Sequence, residues 1–203
     1  MSGEATVTFM KNMKHIWWVG VLLLALMGCG TTSTYFRDHY QGAMNGNAED
    51  EYAIATCYDN GDGGVPGGKA DKAKAAEWYL KAARKGHAKA QNNLGLLYEK
   101  GEGVPRDIDQ ALDWLESSAL QGYKYGQYNA GRAMYDFLDS LGGIDEGEIK
   151  QHAASLNGAV KYLRLARDNG VPDAQDYINR CRKYGELLQG FANRCGVKIQ
   201  LDL

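Results

Sequence analysis

The chain has 203 residues, enough for one domain or a short array of repeats with a substantial core. Its 23 basic and 25 acidic residues are interspersed and give a formal charge of -2, which argues against a nucleic-acid-binding protein. With 26 glycines and only 3 prolines, the glycines punctuate structured elements and do not indicate disorder.

The first 28 residues have the order of an export signal. Two lysines precede the apolar run IWWVGVLLLALM, whose twelve residues are too few to span a bilayer. The segment LMGC, which ends at Cys29, resembles the bacterial lipobox, in which the cysteine is lipidated and becomes the mature N-terminus. A signal anchor is the alternative, because no charge lies between Ile16 and Phe36. We therefore predict a lipoprotein signal peptide over residues 1–28, with lipidation at Cys29.

This lipid places the predicted body close to a membrane. The helical spacing of Phe36, Tyr40 and Ala43 predicts a capping helix over 34–46, which leaves residues 29–33 as a short tether. We expect a periplasm-facing protein of the bacterial cell envelope, with the outer membrane favoured over the inner. That compartment is oxidising and permits disulfides.

Four glycines mark an internal repeat. A large aromatic residue stands eight positions before each of the last three glycines, and mostly small residues stand nine positions after each of the four. The glycines are Gly46, Gly86, Gly122 and Gly170, and the aromatic residues are Trp78, Trp114 and Tyr162. We predict repeats over 47–86, 87–122 and 123–170, followed by a degenerate repeat or C-terminal cap with an extended tail over 171–203.

The second repeat shows why each unit predicts two antiparallel helices. Apolar residues at helical spacing precede Gly101, which can end a helix in the left-handed conformation. Asp107 and Gln110 then form the pattern of a capping box that starts the next helix. Gly95 is unfavourable within a helix, and we interpret it as a point where a neighbouring helix approaches closely. Such a hairpin cannot bury its apolar face alone, so the units must stack.

The segment LGLLYEKGEGVPRDIDQALDWLESSALQG resembles the Sel-one-like repeat, a tetratricopeptide-like family. The spacing of 36 from Trp78 to Trp114 exceeds the 34 usual in tetratricopeptide repeats. The resemblance covers about residues 46–179. It implies an all-α solenoid of three to four helical hairpins, a right-handed superhelix with a concave ligand-facing surface, after the cleaved signal peptide. Members of the family act mostly as adaptors that bind other proteins.

The third repeat is longer than the second. Met134 and Tyr162 are 28 residues apart, whereas the equivalent Tyr98 and Trp114 are 16 apart. The extra twelve residues lie within 138–158, and their apolar spacing predicts a longer second helix. An acidic cluster in this insertion either contacts a basic partner or lies in a solvated loop; it comprises Asp145, Glu146 and Glu148.

The C-terminal part predicts a capping helix from Asp173, which could be broken at Gly185 or Gly190. The tail, residues 197–203, alternates strictly between apolar and polar residues, as a strand does. Three alternatives stay open for it: lying extended across the last helices, fraying, or pairing with a sheet edge of a partner.

The cysteines indicate packing more than chemistry. Cys57 and Cys181 each stand eleven positions after their glycine, where the other repeats have core residues. Cys181 and Cys195 would lie about 21 Å apart on one continuous helix, so a disulfide between them needs a chain that turns back near one of the two glycines.

No motif of a catalytic, metal or cofactor site is convincing. The segment GGVPGGKA has Ala70 where a P-loop needs Ser or Thr, and DNGDGG lacks the ligands of a calcium loop. His39, His87 and His152 occur singly, without metal-ligand spacing, and are interpreted as surface or packed residues. We predict no catalytic residues, no metal and no cofactor.

We predict a membrane-anchored adaptor or scaffold whose partner is another protein, in one version a toxin-immunity or envelope-protection protein. The expected partner-binding residues are polar positions of the first helices taken to be exposed: Gln91, Asn92, Lys124, Gln127 and Tyr128. The alternatives are a hydrolase of cell-wall or β-lactam substrates and an assembly factor for envelope polysaccharide or secretion machinery. The oligomeric state is left open.

Overall fold

The computed structural model describes residues 34–203 of the protein. Within these residues lie eight α-helices and one short 3-10 helix, Glu146–Glu148, and no β-strand. The helices are α1 (Tyr35–Met44), α2 (Ala48–Asn60), α3 (Lys72–Arg84), α4 (Ala88–Lys100), α5 (Ile108–Leu120), α6 (Lys124–Ser140), α7 (Ile149–Asp168) and α8 (Ala174–Arg194). The predicted signal peptide, tether and lipidation at Cys29 fall outside the described residues.

Each helix packs against the next one along the chain. Three hairpins result, α2–α3, α4–α5 and α6–α7, with α1 packed on the first hairpin and α8 on the last. We call α2, α4, α6 and α8 the first helices, and α3, α5 and α7 the second helices. The prediction of an all-α solenoid of stacked hairpins is confirmed. In the described range, no helix is both long and apolar enough to cross a membrane.

The repeated sequence signals act as local start and stop points. Gly101 has φ 71°, and its N–H donates to the carbonyl of Leu97, which closes α4. Asp107 accepts hydrogen bonds from the backbone N–H and the side-chain Nε2 of Gln110, at 3.0 and 3.1 Å. The predicted N-cap is therefore present, but the reciprocal bond of a capping box is not, because the N–H of Asp107 donates to the carbonyl of Tyr98 at 3.0 Å.

Glycines inside the first helices let the second helices approach closely. A Cβ on Gly95 would lie 2.7 Å from Cγ of Leu115 on α5. A Cβ on Gly131 would lie 2.7 Å from Cγ of Leu163 on α7. The close approach predicted at Gly95 is thus confirmed, and the third hairpin repeats it.

The insertion in the third repeat lengthens both helices of that hairpin. Compared with the second hairpin, four extra residues extend α6, seven extend α7, and one extends the connection. The prediction assigned the insertion to the second helix alone and is corrected in that respect. The acidic side chain of Asp145 caps the 3-10 helix by accepting from the N–H of Gly147 at 3.2 Å.

The C-terminal helix is unbroken, which rules out the disulfide that a break at Gly185 or Gly190 would have allowed. Helix α8 runs from Ala174 through Gly185 and Gly190 to Arg194, and Cys195 follows directly. Fourteen residues of continuous helix separate Cys181 from Cys195 by about 21 Å, far beyond the reach of a disulfide. Both thiols are free, as is that of Cys57.

The tail lies extended across the last helices, the first of the three alternatives. Its apolar residues pack against the core cluster of α6 to α8, and the residues between them are exposed. The packed residues are Val197, Ile199, Leu201 and Leu203, and the exposed ones are Lys198, Gln200 and Asp202.

Candidate protein-binding surface

Three first helices form one continuous surface on the inside of the stack. α4 contacts α6 and α6 contacts α8, whereas the second helices of neighbouring hairpins contact one another less. A stack in which one layer of helices lies closer together curves towards that layer. We call the solvent-facing side of α4, α6 and α8, towards which the stack curves, the inner surface. Its half-exposed or exposed residues include Asn93, Tyr128, Arg132, Tyr177 and Arg180.

A ladder of tyrosines joins α6 to α8 on this surface. Tyr177 packs edge-on against Tyr128 and Tyr135, with ring centroids 5.9 and 6.0 Å apart, and Tyr135 packs against Tyr184 at 6.3 Å. Burial raises the pKa of Tyr128 and Tyr177 above the ordinary value of tyrosine. Such rings offer apolar area and a polar hydroxyl together, the combination enriched in protein interfaces.

A charged cluster next to the ladder joins α4 to α6. Arg132 donates two hydrogen bonds to the carboxylate of Glu99, at 2.6 and 2.8 Å, and a third to Asp136 at 3.0 Å. Burial opposes the charge of Arg132, but the hydrogen bonds and charges of Glu99 and Asp136 outweigh burial and raise its pKa. Burial also raises the pKa of Asp136 despite its contact with Arg132. The cluster thus links α4 to α6 through hydrogen bonds and ion pairs.

Asparagines continue this link towards the first hairpin. Nδ2 of Asn129 donates to Oδ1 of Asn92 at 2.8 Å, and Nδ2 of Asn92 donates to Asn93 at 3.1 Å. Asn93 in turn donates to the hydroxyl of Tyr79 at 3.0 Å, and that hydroxyl donates to Asp59 at 3.2 Å. Side chains of all three hairpins therefore share one hydrogen-bond chain.

A second polar contact recurs at the end of every hairpin. The residue five positions after each of the first three repeat glycines accepts a hydrogen bond from the residue just before the next repeat glycine. We call these contacts the hairpin clasps: Lys85 to Glu51 at 2.6 Å, Gln121 to Gln91 at 2.5 Å, and Asn169 to Gln127 at 2.9 Å. The accepting side chains are 3 to 7% exposed, so the clasps are structural.

The Sel1 repeat family model matches residues 48–87 and 88–123, the first two hairpins. These two hairpins are similar to Sel1 repeats.

Several known proteins are similar to this chain in sequence. The chitin synthase regulator SKT5 of Saccharomyces cerevisiae is 35% identical over 134 residues, which cover 66% of this chain and 18% of the regulator. Cytochrome c oxidase assembly factor 7 of Xenopus tropicalis is 33% identical over 112 residues, 52% of this chain and 48% of the factor. The chain thus spans about half or less of the length of these relatives. The crystal structure of a Sel1 repeat protein from Oxalobacter formigenes aligns with a TM-score of 0.47 and 28% identity, over 74% of this chain and 39% of that one.

Three of the predicted binding residues, which were expected to be exposed, are buried in the structure. Gln91, Asn92 and Gln127 are 7%, 4% and 4% exposed, because their amides serve the clasps and the asparagine chain. Lys124 and Tyr128 are half-buried at the surface; Lys124 lies over the ring of Tyr125, and Tyr128 belongs to the ladder. Partner binding by these two residues stays a prediction.

The histidines of the Sel1 repeats and their flanking helices pack or cap, in line with their interpretation. His87 is the N-cap of α4: its Nδ1 accepts from the N–H of Ala90, and its Nε2 lies 2.9 Å from Glu49. His39 hydrogen-bonds to Asp50 at 2.5 Å. His152 is 3% exposed and its Nδ1 lies 3.1 Å from the hydroxyl of Tyr184.

Two of the cysteines occupy core positions, as the repeat alignment predicts. Cys57 is 1% exposed and Cys181 is fully buried. Burial raises the pKa of the Cys57 thiol to about 11 and that of the Cys181 thiol to about 12. A buried and protonated thiol is a poor nucleophile.

Proposed function

We propose that the protein is a lipid-anchored adaptor of the bacterial cell envelope that binds another protein through its inner surface. The observation that carries the proposal is the tyrosine ladder beside the Glu99–Arg132–Asp136 cluster, since aromatic residues and arginine are enriched where proteins bind each other. The relatives lend support, because they are named as a regulator of chitin synthase and an assembly factor for cytochrome c oxidase.

Arg180 offers the sharpest test of the surface. Its side chain is 53% exposed, stacks over the ring of Tyr177 at 4.9 Å and forms a surface ion pair with Asp176. Loss of such a pair has little effect on stability, so Arg180→Glu should fold normally. Arg182 is exposed on the same helix and two residues on, about 200° around the axis, which makes Arg182→Glu a matched control.

The experiment is affinity capture from detergent-solubilised membranes with wild type and both variants. We expect the wild type and Arg182→Glu to recover the same partner, and Arg180→Glu to recover at least about tenfold less of it, as for a charge at an interface centre. The identity of the captured partner distinguishes an immunity or protection role from an assembly role. Failure of the wild type to recover any protein, together with measured hydrolysis of a cell-wall or β-lactam substrate, would refute the adaptor.

The envelope location rests on the lipobox and has its own test. Labelled palmitate should enter the wild-type protein in bacterial cells and should not enter Cys29→Ala. Incorporation that survives this substitution would refute lipidation at Cys29 and leave the inner-surface proposal standing.

A further inference from the structure

The groove that holds the tail has the features of a binding site for an extended segment. Among the described residues, helix α8 is followed by residues 197–203, which lie extended against α7 and α8. The alternate apolar side chains face the core and the polar ones face outward, so the groove accepts the side-chain period of an extended chain.

Asn157 on α7 binds the backbone of the tail with both ends of its amide. Its Nδ2 donates to the carbonyl of Gln200 at 2.9 Å, and its Oδ1 accepts from the N–H of Asp202 at 2.9 Å. These two backbone groups belong to residues two apart, which point the same way only when the chain is extended. The contact therefore recognises backbone conformation and tolerates different side chains.

Gly185 on α8 provides a hollow for one apolar side chain. A Cβ at this position would lie 2.3 Å from Cδ1 and 3.1 Å from Cδ2 of Leu203. Glycine is a poor helix former, yet it stands in the middle of the 21-residue helix α8. The hollow explains why a glycine occupies this position.

The groove is larger than its present occupant. An open depression of about 860 Å³ runs beside the tail along one face of α7, from Asn157 to Asp168, with Leu201 and Leu203 on the opposite wall. This volume is in the range of ligand-binding clefts. On the α7 side, the two cationic residues Lys161 and Arg164 outnumber the one acidic residue, Asp168, which favours an acidic group in the ligand, such as Asp202 of the tail.

We propose that this groove is a docking site for an extended peptide segment of a partner, and that the tail occupies it in cis. The segment has apolar side chains at alternate positions and an acidic residue among the polar ones. The tail can be displaced because its apolar residues are only half-buried and a single side-chain amide binds its backbone. This site is separate from the inner surface, and neither proposal depends on the other.

A peptide with the sequence of the tail, VKIQLDL, tests the proposal by fluorescence anisotropy. In the wild type, the tail competes at an effective concentration in the millimolar range, so the peptide binds weakly. In the full-length variant Leu201→Ser, Leu203→Ser, the tail competes poorly, and we expect binding at least about tenfold tighter. The permuted peptide VIKQDLL, which breaks the alternation, should bind the variant at least about tenfold more weakly.

Two further variants connect binding to the groove. Adding Asn157→Ala to the double variant removes the backbone contact and should weaken peptide binding about tenfold. Adding Asn193→Ala, an exposed position on α8, should leave binding unchanged. No binding to the double variant, equal binding of both peptides, or insensitivity to Asn157→Ala would each overturn the proposal.

A measurement on the wild type keeps the proposal testable if the double variant does not fold. Several millimolar of VKIQLDL should displace the tail, and the amide resonance of Asp202 should then move to its random-coil position. A resonance that stays in place at every peptide concentration would contradict a displaceable tail.

Discussion

The hairpin clasp between Gln91 and Gln121 predicts that Gln91 stabilises the fold, although its polar side chain suggested an exposed position in the sequence. Gln91 is 7% exposed; its Nε2 donates to the carbonyl of Ala83 at 3.1 Å, and its Oε1 accepts from Gln121 at 2.5 Å. A neutral hydrogen bond contributes about 1 kcal/mol net. Gln91→Ala removes two, so the free energy of unfolding should fall by about 2 kcal/mol.

A double-mutant cycle isolates the clasp itself. Gln121 is exposed. Gln121→Ala removes the clasp bond and a longer, solvent-exposed bond to the carbonyl of Ser117 at 3.3 Å, leaves Oε1 of Gln91 buried without this partner, and should cost about 1 kcal/mol. Both single variants remove the same hydrogen bond between Gln121 and Gln91, and the double variant loses it only once. The coupling energy between the two substitutions should therefore be about 1 kcal/mol. Urea unfolding followed by circular dichroism at 222 nm measures all four free energies. For a domain of this size, Gln91→Ala should also lower the Tm by about 4–8 °C.

The control is Gln151→Ala, an exposed glutamine on α7 whose loss should change stability by less than about 0.5 kcal/mol. The reasoning would be refuted if Gln91→Ala were as stable as this control, or if the coupling energy were zero. Unchanged stability with lost partner binding would restore Gln91 to the role expected from sequence.

Other predictions concern packing and thiols. A Cβ at Gly131 would lie 2.7 Å from a leucine of α7, so Gly131→Ala should lower the free energy of unfolding by about 1–3 kcal/mol, whereas Gly143→Ala, with open space around the Cβ, should not. In the native protein, Ellman's reagent should react with Cys195 before the buried Cys57 and Cys181; a loss of two thiols that a reducing agent restores would indicate a disulfide instead. Above about pH 9 the unfolded chain loses thiol protons that the folded protein keeps, because burial raises the pKa of Cys57 to about 11 and of Cys181 to about 12. Stability is therefore unaffected by these groups below pH 9 and should fall as the pH rises from about 9 to 12, less steeply in Cys181→Ala.

The hairpins were predictable because their signals are local. The left-handed cap at Gly101 and the N-cap at Asp107 each act within a few residues, so the sequence around them contains the whole cause. Gly95 was predictable for a related reason: a glycine inside a good helix needs a packing explanation, and Leu115 supplies it.

The errors arose where side chains pair over a long sequence separation. Gln91, Gln127 and Asn92 were taken as exposed because they are polar, but their partners lie 30, 42 and 37 residues away. A usable signal did exist, since a polar side chain recurs five positions after each repeat glycine and just before the next one. Two polar positions that recur together are better explained by each other than by solvent.

The continuity of helix α8 also could not be predicted from the local sequence. In the sequence, Gly185 suggested a break in the helix, but packing against Leu203 stabilises the helix there. The position of the tail depends on the same long-range contact, so it could not be predicted from local sequence either. Helix propensity is a weak prior that such packing overrides.

Protein binding by the inner surface is tested most directly by photo-crosslinking in living bacteria. A photoreactive phenylalanine analogue in place of Arg180 should form an adduct with a second protein, because that side chain extends beside the tyrosine ladder. The same analogue in place of Arg182, on the other side of α8, should form none or far less. Adducts of equal yield at both positions, or adducts at Arg182 alone, would contradict the account.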